Sequence, residues 1–99
     1  MDALEIGIEE REGQVLVRLS GTLDGRAART VAETLGRLPL RPLVVDFSRV
    51  RTFVDLAIDA LTLALRGRTF RLTGLGRHQQ RMFRYFGVRA VEPGQAAEA

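Results

Sequence analysis

The chain has 99 residues, 45% of them hydrophobic, which suits one domain with one modest core and makes a second domain unexpected. It contains no Cys, which excludes disulfides, thiolate nucleophiles and zinc–sulfur sites. All fifteen basic residues are Arg, a usage that fits a GC-rich genome, and the net charge of +3 is too small to argue for a nucleic-acid partner.

The first predicted element is a half-buried strand, because Leu4, Ile6 and Ile8 alternate with Glu5, Gly7 and Glu9. Glu12-Gly13 supplies a turn, and Val15, Val17 and Leu19 repeat the alternation against Leu16, Arg18 and Ser20, so the two segments read as an antiparallel pair. Gly21 to Gly25 reads as a loop in which Asp24 caps the next helix. Ala28, Val31, Leu35 and Leu38 then fall at helical spacing, which predicts an amphipathic helix from Arg26 to Leu38 that Pro39 and Pro42 terminate.

Leu43 to Phe47 has the continuous apolar character of a central strand covered on both sides, and a short turn is expected after it. From Leu56 to Arg66 the spacing predicts a helix that is apolar almost all round, with Asp59, Thr62 and Arg66 sharing its one polar sector. Neighbouring helices must cover the rest, or part of it is a partner surface. Arg68 to Thr73 reads as a strand with Phe70 and Leu72 inward. Arg77 to Phe86 reads as a helix that packs Met82, Phe83 and Phe86 and shows Arg77, Arg81 and Arg84 on the opposite side. Val88 to Val91 is a candidate last strand, and residues 93–99 read as a flexible tail after a single domain spanning 1–92.

The order β-β-α-β-α-β-α-(β) implies an α/β fold: a mixed sheet of four to five strands with its helices mainly on one face.

Charge is unevenly distributed. Residues 1–12 hold five acids against Arg11, whereas residues 66–89 hold seven Arg and no acid, so the C-terminal half offers a positive surface unless the two segments neutralise each other in space. The acidic start is unlike a signal peptide, and the apolar run Leu56 to Leu65 is too short to cross a bilayer, which together point to a cytoplasmic protein.

No catalytic constellation is evident, and the expectation is a protein that is not an enzyme and uses no cofactor or metal. His78, the one histidine, sits among arginines near a helix start and reads as solvated rather than as a base or ligand. Gly74-Leu75-Gly76 lies between a strand and a helix, where a phosphate could bind, but a tight turn is a sufficient explanation, since a dinucleotide fingerprint would put its third glycine at Gln79. Asp55 stands at a helix entrance, placed to cap it or to meet a partner or metal. The aromatics of the arginine helix are expected to point to the core, leaving no platform for bases to stack on, which disfavours nucleic acid.

Several motifs in order resemble a STAS domain, the module of bacterial anti-sigma factor antagonists and sulfate-transporter tails. They are the second strand running into Gly21-Thr22-Leu23-Asp24, Val44-Val45-Asp46-Phe47-Ser48-Arg49-Val50, Phe53-Val54-Asp55, Leu72-Thr73-Gly74 and Phe86-Gly87-Val88, and the resemblance covers almost the whole chain. In that family an Asp-Ser-Ser-Gly or Asp-Ser-Thr-Gly signature carries a phosphorylated second hydroxyl. Asp55 matches its Asp, but Leu56, Ala57 and Ile58 follow, so the phosphoacceptor position is Ala57.

The resemblance implies transcriptional signalling in a bacterium by contact with an anti-sigma factor or switch kinase. Carried over by position, the contact surface is Asp24, Asp55, Leu56, Ala57, Ile58 and Asp59. A protein that binds constitutively, without phosphorylation at the usual place, is the leading expectation, and a homodimer is compatible with it. The alternative is a STAS domain associated with ligand or lipid transport, with Arg77, Arg81 and Arg84 contacting an anionic ligand.

Overall fold

A computed structural model describes residues 3–88. The elements are β1 (Glu5–Arg11), β2 (Gln14–Leu23), α1 (Gly25–Arg37), β3 (Leu43–Phe53), α2 (Leu56–Leu65), β4 (Phe70–Thr73) and α3 (Arg77–Tyr85). One four-stranded sheet has the order β1-β2-β3-β4, with β1 antiparallel to β2 and the β2–β3 and β3–β4 pairs parallel.

Alternation decides which side of the sheet is covered. Val15, Val17 and Leu19 of β2, Leu43, Val45 and Phe47 of β3 and Leu72 of β4 are buried and meet Ala28, Val31 and Leu35 of α1, Ala57, Ile58, Leu61 and Leu65 of α2, and Phe83 of α3 in one core. Leu16, Arg18, Val44, Asp46 and Arg71 occupy the intervening positions and are half-buried or exposed. β3 is therefore covered on one face, not on both: its apolar run reflects helices on one side and only partial shielding on the other.

Two strands run further than their composition suggests. Gly21-Thr22-Leu23, expected as loop, finishes β2, and Ser48 to Phe53, expected as turn, continues β3. Each extension supplies the other's hydrogen-bond partner, as in Gly21↔Val50 and Leu23↔Phe53, across register shifts that follow Arg18 and Gly21. Asp46 steadies this irregular stretch by accepting from the Ser48 N–H at 2.9 Å. Gly74, with φ +76°, is needed there, since a Cβ on it would lie 2.5 Å from Ser48 N.

Phe47, Phe53 and Phe83 fasten α3 to the end of β3, with ring centroids 5.6 to 6.4 Å apart. Phe83 is the only fully covered aromatic of that helix; Phe86, expected inside, is 42% exposed and Tyr85 is 84% exposed, so the expectation that the arginine helix shows no aromatic is not met. Arg68 lies outside β4, and its guanidinium donates to the carbonyls of Leu35 (2.9 Å), Leu38 (3.3 Å) and Pro39, which closes the C-terminus of α1. Val88 is buried but not in a strand, and the rest of the expected last strand, 89–91, and the tail 93–99 lie outside the described residues. Among the described residues no helix is long and apolar enough to cross a membrane.

Candidate functional site

β2 and β3 are parallel neighbours that end level with one another, so the helices following them start side by side. Leu23 pairs with Phe53, and the Val54 N–H donates to the Leu23 carbonyl at 3.0 Å. The polypeptide then enters α1 through Asp24 and α2 through Asp55. Asp24 caps α1 as its chemistry suggests: extended backbone at the cap, with Oδ1 accepting from the Ala27 N–H at 2.8 Å.

Asp55 does something else. Its backbone is already helical (φ −55°, ψ −33°) and its side chain makes no cap bond. Both carboxylate oxygens instead meet His78 Nε2, at 2.9 and 3.0 Å, so the start of α2 is tied to the start of α3. His78 stays more than half exposed, as expected, and is also the tether between the starts of α2 and α3. Sequence could not find it, because the partners are 23 residues apart and nothing in the spacing signals a pair.

The six carried-over contact positions separate into two groups. Asp24, Asp55, Leu56 and Asp59 lie on the surface, but Ala57 and Ile58 are 0% exposed and belong to the core. These two positions turn inward beneath the helix start, so their side chains shape the surface only by supporting it. Leu56 turns outward, is 71% exposed, and leans over the start of α1 close enough that a Cβ on Gly25 would lie 3.4 Å from its methyl.

The division of α2 also departs from the expected polar sector. Thr62 is buried, with Oγ1 lacking any hydrogen-bond partner, while Leu63 is 55% exposed. Leu56, Asp59 and Leu63 stand at i, i+3 and i+7, one stripe of the helix facing solvent, and Val54 (39% exposed) extends its apolar character toward the preceding strand. α2 packs against both α1 and α3, so neighbouring helices do cover most of it, and this stripe is what they leave.

Arg77, Arg81 and Arg84 are all exposed, as their helical spacing requires, and make no ion pair among the described residues. Among the described residues no three His, Asp or Glu side chains are grouped to hold a metal.

Comparisons with known proteins follow the fold. The family model described as "Mlab, STAS domain" matches residues 6–93. Among solved structures, an anti-sigma factor antagonist from Mycobacterium paratuberculosis is similar with a TM-score of 0.74 and 19% identity, over 94% of this chain and 88% of that one. The Bacillus cell fate determinant SpoIIAA in its phosphorylated form gives 0.64 and 16%, over 85% of each chain. An antisigma-factor antagonist STAS domain from Rhodobacter sphaeroides gives 0.55 and 18%, over 72% and 86%. At these identities the likeness is one of fold. No curated protein sequence matches significantly.

Proposed function

This chain belongs to the STAS domain family, and we propose that it is a non-enzymatic protein-interaction domain that binds a regulatory partner of the anti-sigma factor or switch-kinase kind without phosphorylation at the usual site. The observation that supports this is the pairing of opposites at the start of α2. Leu56 offers an apolar side chain, 71% exposed, to whatever docks there, while Ala57, at the phosphoacceptor position, has no oxygen and no exposure. Phosphorylation of such a site would act by adding close to two negative charges to a packed interface. Lacking that charge, the surface stays permanently apolar, bordered by Asp24 and Asp59.

The test is capture from the native host with the chain as bait, followed by incubation of the complex with ATP. An anti-sigma factor or switch kinase retained by the unaltered chain, lost with Leu56→Asp and accompanied by no gain in bait mass, is the expected result. Phosphate on Ser48 or Thr52 would overturn the unswitched reading.

A second reading rests on the exposed row Arg77, Arg81 and Arg84, which has no neighbouring acid in its own helix. It is a STAS domain associated with ligand or lipid transport that contacts an anionic headgroup. Anionic vesicles should then bind the chain and release it when the three arginines become Gln, with Leu56→Asp having no effect.

A further inference from the structure

β1 is an outer strand that pairs, among the described residues, with β2 alone. Glu12 and Gly13, with φ of 54° and 80°, join Arg11 to Gln14 in a two-residue hairpin turn whose flanking pair exchanges both backbone hydrogen bonds. Bonding direction alternates along a strand, so Arg11, Glu9, Gly7 and Glu5 turn their backbone groups toward β2. Glu10, Ile8, Ile6 and Leu4 turn theirs outward, and Ile8 is 48% exposed.

Unpaired edges are usually blunted by Pro, charged side chains (Lys above all), bulges or shortness. Glu5–Arg11 has seven residues, neither Pro nor Lys, and an unbroken register against β2. Two of its three acids are also neutralised in place: Glu9 is paired with Arg11 and lies 3.8 Å from Arg18, and Glu10 lies 2.6 Å from Arg41. The Arg11 guanidinium holds the Glu9 carboxyl below the usual carboxylate range, so that residue stays ionised and paired.

We propose that this edge joins two copies of the chain, β1 against β1 antiparallel about a two-fold axis at Ile8, fusing two four-stranded sheets into one.

The axis position follows from charge. Centred on Ile8, the pairing uses every residue of β1: Ile8 faces Ile8, Ile6 faces Glu10, Gly7 faces Glu9, and Glu5 of one copy faces Arg11 of the other. A centre at Gly7 would set Glu5 against Glu9, and one at Glu9 would set that residue against itself; directly opposed like charges destabilise a strand pair. A centre at Ile6 leaves Ile8, Glu9, Glu10 and Arg11 with no β1 residue opposite. Only the Ile8 register combines full overlap, outward backbone groups in phase and opposite charges at both ends.

The full chain, followed by sedimentation velocity over a wide concentration range, should move from the 11.0 kDa monomer to a dimer. Ile8→Lys should remain monomeric with an unchanged far-ultraviolet spectrum. Glu5→Arg should raise the dissociation constant about tenfold, since symmetry repeats the unfavourable pair twice, and adding Arg11→Glu should restore dimerisation. Leu56→Asp should leave the dimer intact, which separates this contact from partner binding. A chain that stays monomeric throughout, a dimer that survives Ile8→Lys, or a charge swap that fails to restore what Glu5→Arg lost would overturn the proposal.

Discussion

His78 Nε2 stands between the two carboxylate oxygens of Asp55, 2.9 and 3.0 Å away, and so links the first turn of α3 to the first turn of α2. Both side chains are more than half exposed, at 59% and 52%. The pair is therefore worth about 0 to 1 kcal/mol of global stability. Its consequence is local: β4 and α3 are joined through Gly74 and Gly76, and this contact fixes where the helix begins.

His78→Ala should accordingly leave the denaturation midpoint nearly unchanged while the backbone amides of the first α3 turns exchange with solvent faster. Amide hydrogen exchange resolved by residue is the measurement. Unchanged exchange in α3 would mean that the Phe47–Phe53–Phe83 cluster alone sets the helix position.

Ala57→Ser restores the hydroxyl at the phosphoacceptor position but places it where the present side chain is 0% exposed. A buried hydroxyl without a partner costs about 1–3 kcal/mol, so the variant should unfold at lower denaturant and, while folded, gain no phosphate from an anti-sigma-type kinase with ATP. Mass spectrometry of the intact chain decides the second point. Phosphate on the introduced serine would show that the α2 start opens enough to admit a kinase.

Periodicity made much of this fold legible. Val15, Val17 and Leu19 alternate, Ala28, Val31 and Leu35 recur at helical spacing, and all six are buried as that pattern demands. The second half of β3 was not legible, because Ser48-Arg49-Val50-Arg51-Thr52 has no consistent period and is held in a strand by the ladder that β2 offers it. The surface of α2 was hidden for the opposite reason. A helix with apolar residues on every side carries no signal of which side faces water, so polarity alone puts Thr62 outside and Leu63 inside, the reverse of the structure. Ala57 and Ile58 match the family signature by position, and position along a helix start does not state direction.

Arg68 closes α1 through contacts no local pattern encodes: its guanidinium meets the carbonyls of Leu35, Leu38 and Pro39, some thirty residues earlier. Charge-assisted bonds to carbonyls left over at a helix end are worth about 1.5–3 kcal/mol together in a partly buried setting. Arg68→Ala should therefore lower stability by about 2 kcal/mol in urea denaturation. Arg68→Lys should recover only part, since a single ammonium group cannot span the three acceptors as a planar guanidinium does. Equal stability of Ala and Lys variants would indicate that packing of the side-chain stem, rather than the bonds, is what matters.

The candidate interface depends on which face of α2 meets water. Thr62 is 9% exposed and its Oγ1 has no hydrogen-bond partner, whereas Leu63, the next residue, is 55% exposed. Thr62→Val keeps the shape and removes the unsatisfied hydroxyl, which should raise stability by about 1 kcal/mol. Leu63→Glu should change it by less than about 0.5 kcal/mol, as surface substitutions do. Were the helix rotated so that Thr62 faced water, the signs would change: Thr62→Val would be neutral and Leu63→Glu would bury a charge at severe cost. Urea denaturation of the two variants side by side thus reads the orientation of α2 directly. A stable Leu63→Glu also supplies a folded probe of whether partner contact extends along the stripe from Leu56.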